Sequence, residues 1–226
     1  TVVTALKYDI LRPYRYRMDK EFHMRMFISL SGLLAAFIVS CGPNPAEYKS
    51  RAQPRIVEKA DQYILEAPFN GKPKVCVGEG FGALFSAYFS MKGVPKGPGM
   101  PAPAARYEDF GELPIGKKQM EMYLDSVIWK GVVGISVPAA VTNVPQVKGA
   151  TQPRLTTWKY GTVAEVVHFG PYEDEAPIID NLKKFIASKG YRIAGLHEEE
   201  YIKGPGLPFV SPKDYITVIR YQVRKK

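Results

Sequence analysis

Cysteine and histidine are scarce: two cysteines (Cys41, Cys76) and three histidines (His23, His168, His197) in 226 residues. They form no cluster with metal-ligand spacing, so no metal centre is expected. A phosphate-binding loop, a dinucleotide-binding glycine fingerprint with its acidic partner, and an HExxH stretch are all missing, and no cofactor is expected. No apolar run reaches the ~20 residues of a comfortable membrane span. The net charge of +9 invites a nucleic-acid reading. The basic residues are scattered, however, and neither a helix-turn-helix pattern nor an RNA-binding aromatic motif occurs, so nucleic acid is not among the expected partners.

Apolar residues make up 46% of the chain and charged residues 23%, the balance of a globular protein. The front is different. Residues 27–41, FISLSGLLAAFIVSC, have the length of a signal-peptide core, and Arg25 sets a positive charge before it. Ile38-Val39-Ser40-Cys41 resembles a bacterial lipobox, in which the cysteine is lipidated and begins the mature protein. Residues 1–40 then read as an upstream segment plus signal peptide, and 41–53, rich in proline and polar residues, as a tether. The implied location is the bacterial cell envelope, with the membrane as a partner through lipidated Cys41. A buried core helix is the alternative reading of the same run.

The rest of the chain, 54–226, reads as a duplicated unit. In the second module, about 146–226, TVAEVVHF (162–169) alternates as a strand does. The acids 173–175 and Pro177 favour a helix start, and Ile178, Ile179, Leu182, Phe185 and Ile186 fall on one helical face, with Gly190 placed to end the helix. YRIAGLHEEEYI and DYITVIRYQV complete a β-α-β-β order. In the first module, about 54–145, the copy is fainter: a strand at 74–81, a helix near 81–92, then strands at 103–110 and 119–129. The expected class is α+β, with two pseudo-symmetric β-α-β-β modules in a joined antiparallel sheet. Helices cover one face, and a ligand cleft lies on the other.

The stretch YGTVAEVVHFGPYEDEAPIIDNLKKFIASKGYRIAGLHEEEYIKGPG resembles the GyrI-like domain, also called the AraC-type effector-binding domain. The matching positions are His168, Gly170, Pro171, Tyr172, Gly190, Tyr191, Glu199 and Tyr201. The resemblance implies two β-α-β-β modules with a small-molecule cleft between them. Many members of that family are sensor halves of transcription regulators. DNA binding is not carried over, because a leader-like segment occupies the place of the DNA-binding domain.

Strand alternation puts Glu199 and Tyr201 on one face and Glu198 and Glu200 on the other. The resemblance assigns the first pair to the cleft. There a carboxylate can attract a ligand cation beside aromatic faces, or act as a general acid or base next to the phenol. Glu198 and Glu200 are expected to face away, where substitution changes little. Tyr107, Trp129 and Trp158 are further candidate ligand-binding residues. His168 and Tyr172 are read as structural, and Cys76 as a buried small hydrophobe. Two functions follow: capture of an apolar ligand, which can be cationic, or hydrolysis of a strained electrophile with Glu199 and Tyr201 as catalytic residues. Haem binding, by analogy with the similar SOUL fold, is a third and weaker reading.

Overall fold

A computed structural model describes residues 45–226, except 109, 112, 115–116 and 206–209. Cys41 and the apolar run at 27–40 lie outside the described residues.

The elements in chain order are α1 (Pro45–Lys49), β1 (Arg55–Lys59), β2 (Gln62–Gly71), α2 (Pro73–Ser90), β3 (Ala104–Tyr107), α3 (Lys117–Ser126) and β4 (Trp129–Ser136). The second half follows with β5 (Arg154–Trp158), β6 (Gly161–Phe169), α4 (Glu175–Ser188), β7 (Tyr191–Lys203) and β8 (Ile216–Lys225). All eight strands form one antiparallel sheet in the order β1-β6-β8-β7-β3-β4-β2-β5. The modules are β2-α2-β3-β4 and β6-α4-β7-β8. They meet where β3 pairs with β7, with Ala105 opposite Glu199 and Tyr107 opposite His197.

The second module follows the sequence pattern closely. Ile179, Leu182 and Ile186 of α4 are buried against Ala164, Val166 and Ile219. Gly190, at φ 75°, ends the helix in the left-handed conformation that glycine adopts without a Cβ penalty.

In the first module, two expected strands are helical. Residues 74–81 belong to α2, which opens on Pro73 in its first turn and buries Cys76, Val77, Phe81 and Leu84 toward the sheet. Gly78 and Gly80 break up its apolar stripe. At Gly80 a Cβ would come within 3.3 Å of Val133 and 3.4 Å of Phe69, so the glycine lets the helix lie close. Residues 119–126 form most of α3, and only Trp129 onward is strand. The missing first strand is β2. Pro68 disguises it, yet that proline sits beyond Glu66, where pairing with β5 has ended and one edge needs no N–H.

Residues 45–53, expected as part of a tether, dock on the domain. Tyr48 packs against Val167, Ile216 and Val218, and the Arg51 carbonyl accepts from the Val167 N–H at 2.8 Å.

Both long helices lie on one face, α2 over β2 and β4, and α4 over β6 and β7. On the other face the chain makes a crossing. β1 runs into β2 through Ala60 and Asp61, and β5 into β6 through Lys159 and Tyr160. The pairing register continues unchanged across both breaks, with Lys59 opposite Gly161 and Gln62 opposite Trp158. Each module therefore lends its leading strand to the edge of the other. The crossing sits over the middle of the sheet: Tyr160 O–H donates to Glu198 at 3.1 Å, and Gln222 Nε2 donates to the Tyr160 carbonyl at 2.7 Å.

Beneath it lies a network of buried charge. The Arg220 guanidinium, 3% exposed, meets Glu165, Glu198 and Glu200. Glu165 also takes Arg51 and Arg55, and Glu198 takes Arg106. The Arg106 guanidinium in turn lies over Trp158, 4.1 Å from its ring centroid. This is the face on which the cleft was expected. Its middle is filled, and two small depressions remain on either side of Tyr160.

Candidate functional site

The expected acid–phenol pair forms, and it points to the helix-bearing face. Residues 197, 199 and 201 of β7 make one row by strand alternation. Tyr201 O–H donates to Glu199 Oε2 at 2.7 Å, and His197 Nε2 lies 3.1 Å from Glu199 Oε1. From the neighbouring strands, Tyr107 brings its hydroxyl to 2.8 Å from Tyr201, and Tyr221 brings its own to 2.8 Å from His197 Nδ1. Five side chains from three strands thus form one hydrogen-bonded line, Tyr221–His197–Glu199–Tyr201–Tyr107.

Aromatic rings enclose this line. Phe110 stacks on His197, with centroids 3.6 Å apart and planes 6° from parallel. Trp129 meets Tyr107 edge-on at 5.2 Å, and Phe81 of α2 and Tyr172 each meet Tyr201 edge-on at 5.9 Å. Phe110 and Leu113 pack against the cores under both helices, so this is where the modules join on the helix side. Glu199 is 1% exposed, as is Glu175 at the start of α4.

Burial, then the negative charge of Glu199, pushes the Tyr107 and Tyr201 phenols well above the ordinary range. Burial, then Glu175, does the same to Tyr172. All three phenols therefore stay protonated as donors at neutral pH. The Gly204 turn closes the site from below: a Cβ there would come 3.1 Å from the Tyr172 hydroxyl. This contact ties the Gly-Pro-Tyr turn at 170–172 to the Gly204 turn that follows the strand bearing Glu199 and Tyr201. His168 Nε2 lies 3.0 Å from the Pro171 carbonyl and braces the first of these turns.

The structure brings together Glu199, Tyr201, Tyr107 and Trp129, but it places Trp158 elsewhere. Trp158 lies on the opposite face, where its Nε1–H donates to Glu66 Oε2 at 2.7 Å and Arg106 covers its ring. The reason is parity. Trp158 is opposite Gln62, in line with Ile64 and Glu66 on the face away from the helices. Glu198 also departs from expectation. It faces away from Glu199 but is not solvated: at 3% exposure it is held by Arg106, Arg220 and Tyr160. Substitution there is not silent. Cys76 is buried, and burial pushes its thiol up to about 11, which makes it a poor nucleophile at neutral pH.

His197, Tyr221 and Phe110 were not recognised as site residues. Alternation back from Glu199 reaches His197. Tyr221 and Phe110 are brought in by pairing and by a loop, which leave no local mark. Among the described residues, no group of three His, Cys, Asp or Glu side chains is placed to hold a metal.

No protein-family model and no curated protein sequence matches the chain. Solved structures do. A hydrolase from Listeria innocua superposes with a TM-score of 0.58 at 15% identity, over 80% of this chain and 96% of that one. An uncharacterised conserved protein from Listeria innocua gives 0.56 at 16% identity with the same coverage. EcmrR, in its complex with DNA, gives 0.52 at 16% identity over 80% of this chain and 61% of that one. These likenesses are in fold, an α+β architecture built on one antiparallel sheet.

Proposed function

We propose that the chain binds a small apolar molecule carrying positive charge, in the aromatic space between α2 and α4 around Glu199. The observation that carries this reading is a carboxylate 1% exposed among rings whose phenols remain neutral. A buried carboxylate attracts a cation through a low-dielectric medium, and aromatic faces add about 0.5–2 kcal/mol. Phe110 fills the slot above His197, so a ligand ring stacked there takes the place of its ring.

The test compares benzyltrimethylammonium with neopentylbenzene, its uncharged isostere, by thermal unfolding. The cation is expected to raise Tm in a saturable way and the neutral isostere much less. Equal stabilisation by both, or by neither, would sink the reading.

A second reading is favoured by the 2.7 Å contact between Tyr201 and Glu199. It makes the site a hydrolase of strained electrophilic small molecules, with Glu199 as general base and Tyr201 as proton donor. The Listeria hydrolase shares the fold.

The envelope location rests on the apolar run before Cys41 and its lipobox-like end. Metabolic labelling with a fatty acid is expected to tag the protein, and Cys41→Ala to abolish the tag. A soluble, untagged product that retains residues 27–40 would refute it.

A further inference from the structure

We infer that His197 is the positioning residue for Glu199, and that Tyr221 acts through it by fixing which ring nitrogen carries the proton. The inference rests on the proposed site, yet its first measurement needs no ligand.

Local geometry places His197 for this task. Between Ile193 and His197 the pairing of β7 with β8 is irregular, and it resumes with His197 opposite Tyr221. At that register the Tyr221 hydroxyl reaches Nδ1 at 2.8 Å, while Nε2 faces Glu199 Oε1 at 3.1 Å. The ring is 2% exposed, lies flat under Phe110 and meets Tyr221 edge-on at 5.2 Å. It is held in orientation as well as in place.

Donor and acceptor rules then set the protons. An ionised carboxylate accepts only, so Nε2 carries hydrogen and donates to Oε1. In a neutral ring Nδ1 is then the acceptor, and Tyr221 O–H donates to it. Burial, then Glu199 and Asp180, pushes the Tyr221 phenol up, so it keeps the proton it donates. At the other oxygen, Tyr201 O–H donates to Oε2 and is left to accept from Tyr107. Every donor along the line points toward Glu199. A neutral imidazole orients the carboxylate without cancelling its charge, which an imidazolium in the same place would do. The same ring serving as mere aromatic filler would be indifferent to its tautomer.

The test is nitrogen NMR of the histidine rings in the 15N-labelled protein at pH 7, for wild type and Tyr221→Phe, with the Glu199 carboxyl carbon followed in parallel. Tyr221→Phe keeps the ring and the packing. The expected result is an Nε2–H His197 in wild type. In the variant the Nδ1–H form should become populated and the Glu199 carboxyl resonance should move. Affinity for benzyltrimethylammonium should fall by about 3–10-fold, the worth of one hydrogen bond, with no change for neopentylbenzene. A wild-type ring in the Nδ1–H form overturns the inference. So does a variant whose His197 and Glu199 resonances match wild type, or one in which the tautomer shifts but cation affinity holds. If wild type binds no cation, the binding reading fails by itself, and the tautomer and carboxyl resonances still decide whether Tyr221 positions Glu199 through His197.

Discussion

Arg220→Met is expected to destabilise the protein by about 3–5 kcal/mol, read from urea denaturation with two independent probes. The guanidinium donates to Glu165, Glu198 and Glu200 at once and is itself 3% exposed beneath the chain crossing. Burial alone would make Arg220 easier to deprotonate, but the three carboxylates more than reverse that and raise its pKa above the ordinary value. Methionine fills similar space but removes the shared cation, leaving Glu165 to Arg51 and Arg55 and Glu198 to Arg106 and Tyr160. A loss under 1 kcal/mol would mean that water reaches the network. The same charges predict the acid limb. Burial pushes the Glu165 carboxyl up, but Arg220, Arg55 and Arg51 outweigh it and hold the group at about 2, against 4.5 when free. A depressed pKa gives stability that is fully present above the unfolded value and lost as pH falls through the folded one. Wild type should therefore lose stability between about pH 4.5 and 2. In Arg220→Met the folded Glu165 value moves back toward 4.5, so this acid-dependent loss should be smaller and end at higher pH.

The second large effect is functional. Glu199→Gln keeps the shape of the side chain and removes its charge. Affinity for benzyltrimethylammonium should fall by about 1–3 kcal/mol, as for a charge-assisted contact. Glu198→Gln is no control, because that residue anchors Arg106 and Arg220; Glu79→Gln, on the exposed side of α2, is the appropriate one. Tyr201→Phe separates binder from hydrolase. A binder should lose only a modest part of its affinity. A hydrolase should lose most of kcat with little change in binding, because the proton is needed in the transition state. If the Glu199 and Glu79 variants behave alike, the buried carboxylate has no part in ligand capture.

What could be read beforehand was whatever is encoded by period. Ile179, Leu182 and Ile186 repeat at helical spacing, and Glu199 and Tyr201 share a face by alternation, so the second module and the acid–phenol pair were both legible. The first module hides behind residues that serve tertiary contacts. Gly78 and Gly80 interrupt the stripe of α2, Gly80 where the helix lies close to the sheet, and Pro68 interrupts β2 where an edge tolerates it. Alternation also could not say which face was which. It separated Glu198 from Glu199 but not a solvated side from one enclosed by the chain itself. That enclosure depends on β1 pairing with β6, a contact between residues more than a hundred positions apart, as in Arg55 with Glu165. Trp158 lies on that enclosed face, apart from Glu199, for the same reason.

That exchange of leading strands also orders events in time. β1 is complete at Lys59, but its partner strand β6 is not finished until Phe169, and β2 cannot pair with β5 before Trp158 exists. At roughly 5–20 residues per second of synthesis, the first strand waits on the order of 5–20 s for the one strand it pairs with. The early module cannot complete its part of the sheet by itself, since β2 pairs with β5 and β3 with β7 of the later half. Folding is therefore expected to be slow and post-translational, governed by closure of a very long loop.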